Sequence, residues 1–191
     1  DAFRLPVSRE DAHVIRLDAS QITTTNEMCH LETTDNYIPA DGFSKIAAVE
    51  RHKGTGLTGT GICSGYGITG GAIASSVSHD SHNIIVIGDN DEDMALAVNA
   101  ITEAQGGYSL VCGGKVYDTL PLPIMGLMSD AGFDEVNKKL GRMIAKAHDM
   151  GVPENIEPFI TLSFLALPVI PEIRVTPRGV LDTTCFKYIS Y

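Results

Sequence analysis

The chain has 191 residues, of which 43% are hydrophobic and 20% charged, enough to bury a core without disulfide or metal staples and too apolar for a disordered arm. A net charge of -10 argues against a nucleic-acid surface, which requires a clustered Lys/Arg footprint. The most apolar run, Phe159 to Pro171, contains Pro168 and Pro171 and falls short of the roughly 20 residues a membrane-crossing helix needs.

The expectation is therefore one soluble domain over residues 1–191. Its start, Asp1-Ala2-Phe3-Arg4, has neither an initiator Met nor an apolar signal region and reads as a cut within a longer polypeptide. In chain order, strands are predicted at His13–Leu17 and Lys45–Glu50, short apolar or alternating runs bounded by Gly, Asn, Asp or Pro. The glycine-rich stretch that follows, "GTGLTG" then "TGICSGYGITGGA", reads as tight turns between strands. Its G-x-G-x-x-G spacing matches a dinucleotide fingerprint, but the next glycines would ruin the helix that must hold the phosphates. Strands are predicted again at Ala72–Val77 and Asn83–Ile87. A helix then starts at "DNDEDM", with Asp91, Glu92 and Asp93 in a first turn favoured by the helix dipole and Met94, Val98 and Ile101 on one side, ending at Gly106-Gly107. Asp89, Asp91 and Asp93 alternate as in a calcium loop, but Met94 and Ala100 occupy the positions that need Gly and Glu. Ser109–Cys112 and Lys115–Leu120 form a hairpin through "CGGK". Val136, Leu140, Met143, Ile144, Ala147 and Met150 line one face of a second helix, Asp134–Met150, stopped by Gly151 and Pro153. Residues 159–167 fit either a buried helix or a strand, and "RVTPRGVLD" reads as a turn between extended segments. The fold class is a mixed α/β (α+β) layer structure, with mostly antiparallel or mixed sheets packed against two main helices. Cys29, Cys63, Cys112 and Cys185 lack C-x-x-C pairing and are expected to be buried thiols of a reducing cytosol.

Two segments carry concentrated polar chemistry. In "ERHKGTG", Glu50 and His52 would share one strand face with Arg51 on the other, so that Glu50 could orient His52 as base or ligand, or else form a strand-end ion pair. In "SVSHDSHNIIVIG", His79, Asp80, His82 and Asn83 precede a buried strand. An extended backbone would point the two imidazoles opposite ways. A turn at Asp80-Ser81, closed by side-chain to backbone bonding, would bring them together. The acidic residues beyond Gly88 are about 20 Å further along the strand, so any third ligand would come from Glu50 or His52.

The blocks "ERHKGTG", "GAIASSVSHDSHNIIVIGDNDEDMALAVN", "LPLPIMGLMSD" and "PFITLSFLALPVIPEIRVT" together resemble the C-terminal domain of the adenine deaminases of the amidohydrolase superfamily, from about Lys45 onward. The resemblance implies a full-length enzyme that hydrolyses adenine to hypoxanthine and ammonia, with a divalent metal (Mn, Fe or Zn) held in an N-terminal (β/α)8 barrel. The barrel's opening H-x-H pair does not occur here, so this segment alone is expected to be inactive. It would support the barrel and a cytoplasmic homo-oligomer, with the His79–Asn83 loop near the mouth of a purine site. The alternatives are a purely structural or oligomerisation module, or an independent metal-binding domain using His79 and His82 with Glu50 or His52.

Overall fold

The computed structural model describes residues 2–18, 21–40 and 42–191; Asp1, where the sequence suggests a cut, lies outside the described residues. The strands are β1 (Asp11–Leu17), β2 (Thr24–His30), β3 (Phe43–Val49), β4 (Thr58–Ser64), β5 (Gly71–Ser75), β6 (Ile84–Gly88), β7 (Gly107–Cys112), β8 (Lys115–Pro121), β9 (Ile173–Thr176), β10 (Gly179–Asp182) and β11 (Lys187–Tyr188), and the helices α1 (Asp91–Glu103), α2 (Phe133–Asp149) and α3 (Pro158–Leu165). Eight strands form one sheet in the order β2-β1-β4-β3-β6-β5-β7-β8, and β11-β10-β9 form a second, small one. All described pairings are antiparallel except β1 with β4. This is the mixed α/β architecture expected, and residues 159–167, which fit either a helix or a strand by sequence, fall largely in a third helix.

The large sheet is covered on both faces, which is why β5 and β6 are buried along their whole length and read as continuous apolar runs. On one face Ala47, Ala72, Ala74 and Val86 pack against Met94, Ala97 and Ile101 of α1. On the other, Ile46, Ile73, Ile85 and Ile87 pack against Met143 of α2, Leu162 and Leu165 of α3, and Val175 and Val180 of the small sheet. Helix α1 begins where the sequence indicates. Asn90 Oδ1 accepts the Asp93 amide at 2.8 Å, and three acids fill the first turn. Helix α3 has Pro158 in its first turn, and the Glu157 carboxylate accepts the Ile160 amide.

The glycine-rich stretch is more than turns. Residues 58–64 form the central strand β4, paired with β3 along its length. Gly59 and Gly61 lie beneath the β9–β10 hairpin: a Cβ on Gly59 would overlap the Thr176 carbonyl oxygen and the Gly179 amide nitrogen. Glycine inside a strand here marks the close approach of another backbone. Strand β2, "TTNEMCH", has no apolar alternation to mark it.

Both outer strands are modified. The Thr24 amide of β2 donates to the Pro171 carbonyl at 3.1 Å, and the Asn26 amide to the Glu172 carboxylate at 2.7 Å. The β7–β8 ladder shifts register at Leu110/Val111. Lys45 of β3, fully buried, donates to Asp91 Oδ1 at 2.6 Å, to Asn36 Oδ1 at 3.0 Å and to the Phe3 carbonyl at 3.1 Å, tying the N-terminal segment to the start of α1. Of the cysteines, Cys63 alone is buried. Cys29 and Cys112 are half-buried and Cys185 is exposed, because its turn is built on polar bonds to Asp182 rather than on the core.

Candidate functional site

Strand pairing gathers one set of loops at one end of the large sheet. Val49 lies opposite Ile84 and Thr58, Ser75 opposite Ile85 and Tyr108, and Gly107 opposite Pro121. The loops 50–57, 76–83 and 122–131 therefore lie side by side, with the β9–β10 turn above Gly59. All seven residues singled out in the sequence, Glu50, Arg51, His52, His79, Asp80, His82 and Asn83, belong to this end.

The loop 78–83 is a tight turn. It is closed by the His82 amide donating to the Ser78 carbonyl at 2.6 Å and the Ser78 amide donating to His82 Nδ1 at 3.3 Å, not by Asp80 or Ser81 side chains bonding to backbone as expected. The Ser81 hydroxyl instead accepts from Asn83 Nδ2 at 3.1 Å. The turn does bring the imidazoles together: the His79 and His82 ring centroids are 6.2 Å apart, and His79 also lies 5.5 Å from the Phe164 ring. The His79 amide is anchored to the Ser163 carbonyl at 3.2 Å.

Among the described residues Glu50 neither orients the His52 ring nor forms an ion pair. Strand β3 ends at Val49, and the Glu50 carboxylate turns onto its own loop, accepting the amides of His52 (2.6 Å), Lys53 (2.7 Å) and Thr55 (3.0 Å) and the Thr55 hydroxyl (2.9 Å). The Thr55 amide and the other donors pull its pKa down to about 2, against a smaller opposing effect of burial. Arg51 and His52 reach across to the neighbouring loop. Arg51 Nε donates to the His82 carbonyl at 2.5 Å and Nη2 to the Met125 carbonyl at 2.7 Å. The His52 ring contacts the Ser81 carbonyl through Nε2 at 2.7 Å. Because a carbonyl only accepts, that nitrogen carries the proton.

These bonds leave a distinct set of groups for chemistry. Among the described residues neither the His79 ring nor the Asp80 carboxylate makes a hydrogen bond, and the buried Ser78 hydroxyl has no partner. His82 accepts through Nδ1, so its neutral ring carries the proton on Nε2 and presents a donor there. A cavity of about 400 Å³ opens beside the turn, with Ala48, Ile85 and Val175 among its apolar walls and Asp80, Ser81 and Asn83 at its polar side. Apolar walls with a few polar groups on one side suit a small ligand fixed by a few polar contacts.

A metal fits poorly. Among the described residues no three His, Cys, Asp or Glu side chains converge as a ligand set. The local reasons are plain: Glu50 is committed to four donors, His82 Nδ1 to a backbone amide, and the Arg51 cation lies against the same loop. The contributions of Met125 and of Ser163 with Phe164 were not foreseen, since each lies some 80 residues from its partner in the chain and carries no local signal.

Burial, followed by the charges of His79 and Arg51, lowers the His82 pKa from its usual value; Asp80 opposes and His52 adds slightly. The unfolded chain therefore binds this proton more readily than the folded one, so stability rises with pH between the depressed folded value and about 6.5, and is fully present above it. A proton NMR titration of the imidazole C2 resonances is expected to give His82 a midpoint below 6.5. A midpoint at or above that value would contradict the geometry described.

The sequence matches the family described as adenine deaminase C-terminal domain over residues 21–187, so the likeness begins well before Lys45. Among curated relatives it is 48% identical over 190 residues to the adenine deaminase of Desulfitobacterium hafniense (strain Y51), covering 99% of this chain and 33% of that protein. It is 46% identical over 192 residues to the adenine deaminase of Nitratidesulfovibrio vulgaris (strain DP4), again 99% and 33%. It is 42% identical over 191 residues to that of Bacillus subtilis (strain 168), with 98% and 33% covered. The chain thus spans about a third of the length of the curated relatives it matches.

Proposed function

Since the chain belongs to the adenine deaminase C-terminal domain family, we propose that it serves as the C-terminal domain of a metal-dependent enzyme hydrolysing adenine to hypoxanthine and ammonia, with the 78–83 turn bordering the purine site. The observation that carries this reading is the division of labour at the loop end of the sheet. Glu50, Arg51 and His52 spend their polar atoms holding loops in place, whereas His79, Asp80 and the Nε2 of His82 are left unspent. Asp80 lines the cavity as a carboxylate acceptor, and the His82 imidazole, in the same turn though outside the lining, would supply the donor that the acceptors of a purine edge require.

The same proposal places the metal, Mn, Fe or Zn, in an N-terminal barrel of the same polypeptide, as the likeness to the family implies; among the described residues no three ligand side chains converge. The metal's chemistry would be to activate a water for attack on the amino-bearing carbon. On this chain the groups available to bind the base or move a proton are His79, Asp80 and His82. No described helix is long and apolar enough to cross a membrane, and four free thiols suit a reducing cytoplasm. A homo-oligomer is part of the same proposal.

Changing His79 and His82 to Ala in the full-length enzyme is expected to lower kcat/KM by about 100-fold while leaving its metal content unchanged. Unchanged turnover would remove the turn from the mechanism. It would favour the structural-module reading, for which the backbone-directed bonds of Arg51 and His52 are the supporting observation.

A further inference from the structure

The "LPLPIMGLMSD" block gives the groups just described only the Met125 carbonyl, yet it is a conspicuous surface feature of the loop end. Thr119–Ser129 is an uncharged run of eleven residues in a chain that is 20% charged. Ile124, Met125 and Met128 are exposed to 43%, 76% and 54%, and Phe133 beyond them to 82%. Exposed apolar side chains scattered singly are ordinary, but four within ten residues of one turn form a patch. The turn is also firmly built. The buried Ser76 hydroxyl donates to the Gly126 carbonyl at 2.7 Å, Arg51 Nη2 donates to the Met125 carbonyl, and the Leu122 amide donates to the Gly106 carbonyl at 2.9 Å. Met125 is held at φ 60°, a left-handed conformation unfavourable for a residue other than glycine. The fold therefore fixes these methionines outward rather than leaving them on a slack loop. Methionine is suited to this use, since its unbranched, polarisable side chain adapts to an irregular apolar socket.

We infer that the 122–130 turn is the plug by which this domain seats in an apolar socket on the remaining two-thirds of the enzyme's polypeptide, and that Arg51 transmits its position to the His79–Asn83 turn. The occupant is argued from length: the relatives are three times as long as the stretch they share with this chain. The plug lies on the same end of the sheet as the candidate site, one guanidinium away from it. Through its two bonds Arg51 joins the Met125 carbonyl to the His82 carbonyl, so it is a positioning residue. The inference rests on the reading of the chain as the C-terminal part of a longer enzyme.

Methionine oxidation by dilute peroxide reads this contact directly, because the sulfoxide forms at exposed sulfurs. In the 191-residue chain alone, Met125 and Met128 are expected to oxidise readily at every protein concentration. In the full-length enzyme they are expected to oxidise about tenfold more slowly, while Met28, 54% exposed on β2, keeps its rate. Met125→Asp, at an exposed position whose backbone conformation Asp tolerates, should abolish the protection of Met128 in the full-length enzyme. Equal rates at Met125 and Met128 in the two proteins would overturn the plug, as would protection that grows with concentration in the isolated chain, which would make a second copy the occupant. The outcomes are separable from those for the site. Unprotected methionines together with a turnover loss in the His79 and His82 variants would remove the plug and keep the active-site turn; protected methionines with silent His variants would do the reverse.

Discussion

Lys45→Met is expected to destabilise the fold by about 3 kcal/mol and to lower the melting temperature by about 9 °C for a chain of this size. The substitution keeps most of the buried stem and removes only the ammonium group. Three acceptors each lose a donor at once: the Asp91 carboxylate, the Asn36 side chain and the Phe3 carbonyl. Removing one partner of a buried pair costs more than the pair contributes, because the other is left without compensation. Asp91 is 30% exposed and can recover water, so the expected loss lies at the lower end of the range for such pairs. The effect should be local as well as global. Asn36 also accepts the Leu5 amide at 3.0 Å, so amide exchange near residue 5 should accelerate more than in β5 or β6. A denaturant midpoint within error of the parent chain would refute the argument.

Gly59→Ala is the second large effect, expected at about 3 kcal/mol. Its added methyl meets backbone, the Thr176 carbonyl and the Gly179 amide, and backbone cannot swing aside as a side chain can. The β9–β10 hairpin must lift from β4, exposing part of the core that Val175 and Val180 complete. Thr176 and Pro177 also wall the cavity beside Asp80 and Asn83, so the same change should disturb any ligand bound there. Gly61→Ala supplies the internal comparison. Its methyl would press mainly on the Val180 side chain, which can shift, so its cost should be clearly smaller. Two glycines of one strand that cost the same on thermal unfolding would show that strand propensity, rather than the overlapping backbone, is the cause.

What could be read in the sequence was what the chain decides locally. Asp91, Glu92 and Asp93 announce the start of α1 because the dipole acts within one turn. The periodic apolar residues of α2 and the buried runs of β5 and β6 are likewise self-contained. Strand β4 was hidden because Gly59 and Gly61 remove the side chains by which a strand is recognised, and the reason for them, the β9–β10 backbone, lies more than 100 residues away. The site followed the same rule. The meeting of His79 and His82 could be foreseen as a turn. Their neighbours could not: Arg51 bonds to carbonyls, which every residue has, and Glu50 satisfies amides of its own loop where a partner for His52 had been expected. Polar side chains that serve backbone groups leave no complementary residue to find.

The treatment of the two border strands has a bearing on how copies of this protein meet. The first half of the rim of β2 is already occupied by Pro171 and Glu172. β8 is broken in register, ends in Pro121 and has Asp118 bonded to Lys139 and Arg142 of α2. Neither border offers a long, regular row of unmet amides and carbonyls that another molecule could extend. Growth of this large sheet from molecule to molecule, the route to fibrils, is thereby discouraged at both of its borders.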